Sequence, residues 1–196
     1  MPVVKILTIA IALVMLSCKN QNDTESKRVI TKQKKQQNRK NRSISKNIFT
    51  IRDIDNRSTR IILGKEKVVF RKIIQPIVIV NIFSSWCPPC KGMLPYLSKL
   101  QRKYKSDIFI IGILVHSDLN DRSLKKFMLK HQATFFISNH KDNDKLARSL
   151  MPKKYPENYP IPLTLIYNYG KLSYDIKGAI PYEMMETIIE QLKKDR

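Results

Sequence analysis

One junction limits what this chain can fold into more than any other feature. Ile77-Val78-Ile79-Val80-Asn81-Ile82-Phe83 is a β-branched run broken by a single polar residue, and Trp86-Cys87-Pro88-Pro89-Cys90 follows after only two serines. A run without polar alternation suits a strand buried on both faces, which places it at the centre of a covered sheet. Beyond Cys90, the residues Met93, Leu94, Leu97, Leu100 and Tyr104 recur at helical spacing, with Lys and Arg between them and near the end. The order strand, tight turn, helix puts the first sulfur at a helix N-terminus, where free amides and the helix dipole stabilise a thiolate. Cys87 is therefore the expected nucleophile. Cys90, one turn along and more enclosed, is the expected resolving cysteine that attacks Cys87 once a mixed disulfide has formed. Pro88 and Pro89 stiffen the turn and remove two backbone donors, which should influence the reduction potential.

The flanking pattern extends this into an α/β domain over residues 47–196. Ile48-Phe49-Thr50-Ile51 and Arg60-Ile61-Ile62-Leu63 read as a hairpin, with Val68-Val69-Phe70 a short further strand. Ile108 to Val115 follows the first helix closely enough to return as a parallel strand through a right-handed crossover. A helix is expected from Asp121 to about His131, a short strand at Phe135-Phe136-Ile137 and a helix from Asn143 to Leu150. Leu163 to Tyr167 and Lys171 to Ile176 form a hairpin through Asn168-Tyr169-Gly170, and Pro181 starts a terminal helix. The order is β-α-β, then β-β-α.

Three cysteines cannot close a disulfide framework, and a domain of this length needs none. The pair therefore reads as chemistry. Its alternative, half of a zinc site, would need two further ligands, and His116, His131 and His140 lack the spacing to supply them. No metal and no cofactor are expected. Trp86, next to the pair, is expected to shield it.

The stretch Val80-Asn81-Ile82-Phe83-Ser84-Ser85-Trp86-Cys87-Pro88-Pro89-Cys90-Lys91 resembles the thioredoxin superfamily, specifically its extracytoplasmic TlpA/ResA/CcmG-like branch. The resemblance runs from about Ile48 to the terminal helix. It implies a thioredoxin fold: a central mixed β-sheet flanked by helices, with an N-terminal β-hairpin extension. It further implies a redox-active Cys87-Cys90 disulfide, a kink at Pro95, and a cis Pro162 facing the pair within Ile161-Pro162-Leu163-Thr164. Ile161 matches the residue that reducing members place before the cis-proline, and Tyr159-Pro160-Ile161 would present backbone to a partner peptide. Two positions depart from the pattern. Thioredoxins have a buried Asp where this chain has Asn81, and the branch has a Glu where this chain has Met93, so the usual carboxylate for deprotonating Cys90 is missing. Met151 to Tyr159 looks inserted before the cis-proline strand, either as a surface loop or as a rim that selects partners.

The net charge of +21, with 37 Lys and Arg, raises nucleic-acid binding, but the sharpest excess lies before residue 47 rather than on a recognition element. No nucleic-acid partner is expected. Residues 1–18 have the apolar length of a signal peptide rather than a membrane span, and Met15-Leu16-Ser17-Cys18 resembles a bacterial lipoprotein box. The resemblance implies lipid attachment at Cys18, although Met15 and Leu16 depart from the box; an uncleaved anchor and ordinary secretion are the alternatives. All three export the domain. Residues 19–46 are almost purely polar, with basic blocks, and read as a disordered tether. The expectation is a monomeric, membrane-anchored bacterial envelope protein whose domain faces the periplasm or extracytoplasmic side. Its function would be to reduce protein disulfides, with apocytochrome c the substrate class implied by the family and electrons arriving from an upstream membrane donor. A disulfide oxidase or isomerase of the same fold is one alternative. A redox-weak, chaperone-like module using the groove at Pro162 is another.

Overall fold

The computed structural model describes residues 47–155 and 159–195. The expectations for residues 1–18 and 19–46, including lipid attachment at Cys18, lie outside the described residues. The central element is β4 (Ile77–Phe83), in which all seven residues are buried. It lies in a five-stranded mixed sheet of order β6-β5-β4-β7-β8. β5 (Ile108–Leu114) and β6 (Phe136–Ser138) run parallel to it, whereas β7 (Leu163–Asn168) is antiparallel and β8 (Lys171–Lys177) forms the far edge. The continuous apolar run thus has the cause inferred from the sequence: β4 is paired on both edges and covered on both faces.

Alternation along β4 sorts its side chains between two cores. Ile77, Ile79 and Phe83 pack with α1 (Pro88–Lys103), with Leu124 of α2 (Asp121–Lys130) and with α4 (Tyr182–Lys194). Val78, Val80 and Ile82 face α3 (Asn143–Leu150) and an N-terminal sheet made of β1 (Ile48–Arg52), β2 (Ser58–Leu63) and β3 (Val68–Phe70). The expected hairpin extension is therefore a three-stranded antiparallel sheet, with Phe49, Ile51, Ile61 and Phe70 as its inward face. Burial of each such side chain contributes on the order of 1.5–3 kcal/mol. β3 is also fastened from outside its sheet, since the Val68 amide donates to the Gly170 carbonyl at 2.8 Å. Tyr169 and Gly170 join β7 to β8 with φ of 48° and 81°, the paired positive values of a tight hairpin turn. A Cβ on Gly170 would also collide with the Val68 carbonyl oxygen, so glycine is required there twice over.

Some element ends differ from the sequence reading. β6 occupies Phe136–Ser138 rather than 135–137, because the Ser138 hydroxyl is buried and donates to Asn143 Oδ1 at 3.1 Å. His131 caps α2 instead of continuing it. Pro95 sits inside one continuous helix, α1, where it withholds the amide that would bond back to Lys91.

Gly112 of β5 lies beside Asn81 of β4. An added Cβ would stand 2.9 Å from Ile137, 3.0 Å from Phe83 and 3.1 Å from Phe135, three large groups from separate elements. Gly112→Ala is expected to cost about 1–3 kcal/mol by overpacking, seen as a lower urea midpoint at unchanged slope.

Candidate functional site

The redox turn is set by the end of β4 and the start of α1. Residues 84–87 are stitched to the segment that continues β5: the Val115 amide donates to the Phe83 carbonyl at 2.9 Å, the Ser84 hydroxyl to the Val115 carbonyl at 2.7 Å, and Ser85 and Ser117 share a hydroxyl contact of 3.0 Å. Cys87 is the N-cap of α1, and its Sγ accepts from the Cys90 amide at 3.3 Å. Pro88 and Pro89 occupy the first helical positions, where their missing amides leave no helical bond unmade. Cys87 and Cys90 form a disulfide with a Cα–Cα separation of 5.3 Å. Sequence reasoning set Cys90 as the more enclosed sulfur. In the disulfide both are buried, at 3% exposure for Cys87 and 0% for Cys90.

The turn that precedes β7 faces the pair. The Ile161–Pro162 peptide is cis, and Cys87 Sγ lies 3.8 Å from the Ile161 carbonyl oxygen. The Pro162 carbonyl accepts from the Gly178 amide at 2.8 Å, which ties this turn to the end of β8. Structure thus brings together Trp86, Cys87, Pro88, Pro89, Cys90, Ile161 and Pro162, whereas Cys18 lies outside the described residues. Trp86 is not a core aromatic. It is 60% exposed, and its indole N–H donates to the His116 carbonyl at 3.2 Å.

Below the disulfide, Met93 and Cys90 belong to the same apolar cluster as Ile79 and Phe83. Asn81 lies between those two strand residues on the same face and is fully buried. Its Nδ2 donates to Thr164 Oγ1 at 3.0 Å, while its Oδ1 has no partner. No carboxylate takes the places of Asn81 and Met93. The imidazole of His131 is held below its ordinary pKa by burial, then by the charges of Lys130 and of Lys91, the residue after Cys90. Among the described residues, no group of three or more His, Cys, Asp or Glu side chains is placed to hold a metal ion.

Sequence reasoning missed the contact of His116 with Asp144. His116 has φ of 48°, and both its amide and its Nε2 lie 3.2 Å from Asp144 Oδ1. Its ring stacks on Tyr159, whose phenol is pushed up in pKa by burial and by Asp144. His116 and Asp144 are 28 residues apart and form no motif, so only the fold brings them together. The expected inserted loop is pinned where it is described. Asp175 of β8 accepts from the Tyr155 hydroxyl at 2.5 Å and pairs with Lys154 at 2.7 Å. Burial and that carboxylate push the Tyr155 phenol up to about 12.

A family model described as Thioredoxin matches residues 62–154. The thiol-disulfide oxidoreductase ResA of Bacillus thuringiensis subsp. konkukian is 29% identical over 147 residues, covering 74% of this chain and 73% of the relative. The thioredoxin-like protein YneN of Bacillus subtilis is 24% identical over 83 residues, 42% of this chain and 48% of that protein. Among solved structures, a thiol:disulfide interchange protein of the thioredoxin family from Chlorobium tepidum superposes with a TM-score of 0.60 at 19% identity, covering 74% of this chain and 93% of its own. StoA from Bacillus subtilis does so with a TM-score of 0.53 at 19% identity, over 71% and 94%. These superpositions share the fold described above.

Proposed function

We propose that this chain, a thiol–disulfide oxidoreductase of the thioredoxin superfamily, is a membrane-tethered reductase of protein disulfides. The observation that carries the proposal is the Cys87–Cys90 pair at a helix N-terminus, within 3.8 Å of the turn that contains cis Pro162. In the dithiol form, the amide that now points at Cys87 Sγ would stabilise its thiolate. That thiolate attacks one sulfur of a partner disulfide; a bond to Cys87 forms, the partner's S–S bond breaks, and one partner thiolate leaves and takes up a proton. Cys90 then loses its proton and attacks Cys87. The second partner thiol departs, two electrons have passed to the partner, and Cys87–Cys90 is left as the disulfide. Return to the dithiol needs a two-electron donor, which we place in the membrane. Trp86, Ile161 and Pro162 line the groove for the partner chain, with Ile161 favouring the reducing direction.

The tether runs through residues 19–46 to lipid at Cys18, which holds the domain at the bacterial envelope on the extracytoplasmic side. Haem-binding thiols of apocytochrome c are the proposed substrate class. Reduction of insulin disulfides with dithiothreitol as electron source tests the activity, and the potential of the Cys87/Cys90 couple tests its direction. A reductase is expected well below the potential of a strong oxidant, which lies at roughly −120 mV. A couple near that figure would reverse the assignment to an oxidase.

A further inference from the structure

Two aromatic side chains adjoin the two segments that meet at the redox pair, Trp86 next to Cys87 in the chain and Tyr159 just ahead of the Ile161–Pro162 turn. Both touch one residue of a third segment, His116. His116 follows β5 in the left-handed region at φ 48°, a conformation that a residue with a Cβ keeps only where its surroundings hold it. Asp144, in the first turn of α3, holds it with a single oxygen: Oδ1 lies 3.2 Å from the backbone nitrogen and 3.2 Å from Nε2. With the backbone fixed in this way, the His116 carbonyl accepts the indole N–H of Trp86 at 3.2 Å. Its ring stacks on Tyr159, with centroids 6.1 Å apart and 30° between the planes. The buried hydroxyl of Tyr159 has no hydrogen-bond partner, so this ring contact is available to orient the phenol where its own polar group does not.

We propose that His116, clamped by Asp144, is a positioning residue for disulfide exchange: it fixes Trp86 and Tyr159 as the two walls of the groove, so that an extended, apolar stretch flanking a partner's disulfide presents its sulfur to Cys87. The inference rests on the redox reading of Cys87 and Cys90. The His116 and Asp144 side chains are 49% and 37% exposed, and a polar contact that open to water adds little to global stability. Its effect is local, on the carbonyl that Trp86 binds. A chain of contacts therefore runs from the first turn of α3 to the residue next to the nucleophile.

Trp86 is the sole tryptophan of the chain, so its fluorescence reports the clamp without a label. In the full chain, Asp144→Ala removes both contacts to His116, whereas Asp144→Asn keeps an acceptor for the amide and loses the charge of the carboxylate. For Asp144→Ala the acrylamide quenching constant of Trp86 is expected to rise about twofold, and KM for insulin disulfides about 3–10-fold at retained kcat. Asp144→Asn should fall between the two on both readouts, and it carries the test alone if Asp144→Ala does not fold. An unchanged quenching constant, an unchanged KM, or a loss confined to kcat overturns the inference. Failure of the underlying redox reading is distinct: it shows as no thiol-dependent turnover in the unsubstituted chain, and it removes the inference before any variant is compared.

Discussion

Cys90→Ser is expected to convert the protein into a trap. Cys87 keeps its place at the N-cap of α1 and can still attack a partner disulfide, but no second sulfur remains to break the covalent complex. Mixed disulfides should accumulate and resolve on a non-reducing gel, and their partner halves name the substrates directly. Cys87→Ser should give none, and in both variants steady-state insulin reduction should drop on the order of 10³-fold or more, because nucleophile and resolving group act as one unit. The contrast between the variants is the informative part. Trapping by Cys87→Ser and not by Cys90→Ser would mean that Cys90 is the attacking sulfur and that the assigned roles are reversed. Its 0% exposure in the first turn of α1 argues against that outcome.

Asn81→Asp should have the second largest effect, and it should act in two opposed ways. The side chain is fully buried, its Nδ2 spent on Thr164 and its Oδ1 without a partner. A carboxyl group there is desolvated and meets no cation in the surrounding apolar cluster, so its folded pKa rises above the ordinary value of about 3.9. The folded state then keeps a proton that the unfolded chain has released. Stability of the variant is therefore greatest below pH ~4 and falls as pH rises toward the raised folded pKa, by about 1.4 kcal/mol for each pH step that separates the folded from the unfolded value. Urea unfolding at pH 4 and pH 8 reads this slope, which the unsubstituted chain lacks at that position. In return, the carboxylate supplies a base on the sheet face beneath Cys90, and release of the mixed disulfide should accelerate on the order of 10²-fold. A release rate equal to that of the unsubstituted chain would place the proton path of Cys90 elsewhere, and the His131 side of α1 would then be the next place to look.

The parts of this protein that could be read from sequence are those whose physics is local. β4 announces itself because burial on both faces leaves no alternation, and α1 because its apolar stripe begins at the cysteines. The pair itself was legible for the same reason, since a turn between buried strand and helix is encoded within a dozen residues. The third N-terminal strand was visible only as a three-residue run, because its anchors lie outside it, in β2 and in the Gly170 carbonyl. The end of β6 was hidden by Ser138, a polar residue that is buried only because Asn143 accepts its proton. The His116–Asp144 contact was invisible: neither the left-handed backbone at His116 nor the carboxylate that holds it leaves a pattern along the chain.

β4 has consequences in the language of amide exchange. Its backbone is paired to β5 on one edge and β7 on the other, and all its side chains are covered, so its amides should exchange only through global unfolding. β8, an edge strand with mostly exposed or half-exposed side chains, belongs to the other extreme. The disulfide therefore sits on a base that cannot yield locally. Whatever rearrangement accompanies gain or loss of two electrons must be taken up by residues 84–87 and 159–162. Deuterium uptake that distinguishes the oxidised from the reduced protein should be confined to those two segments and their immediate contacts, leaving the strand beneath them silent.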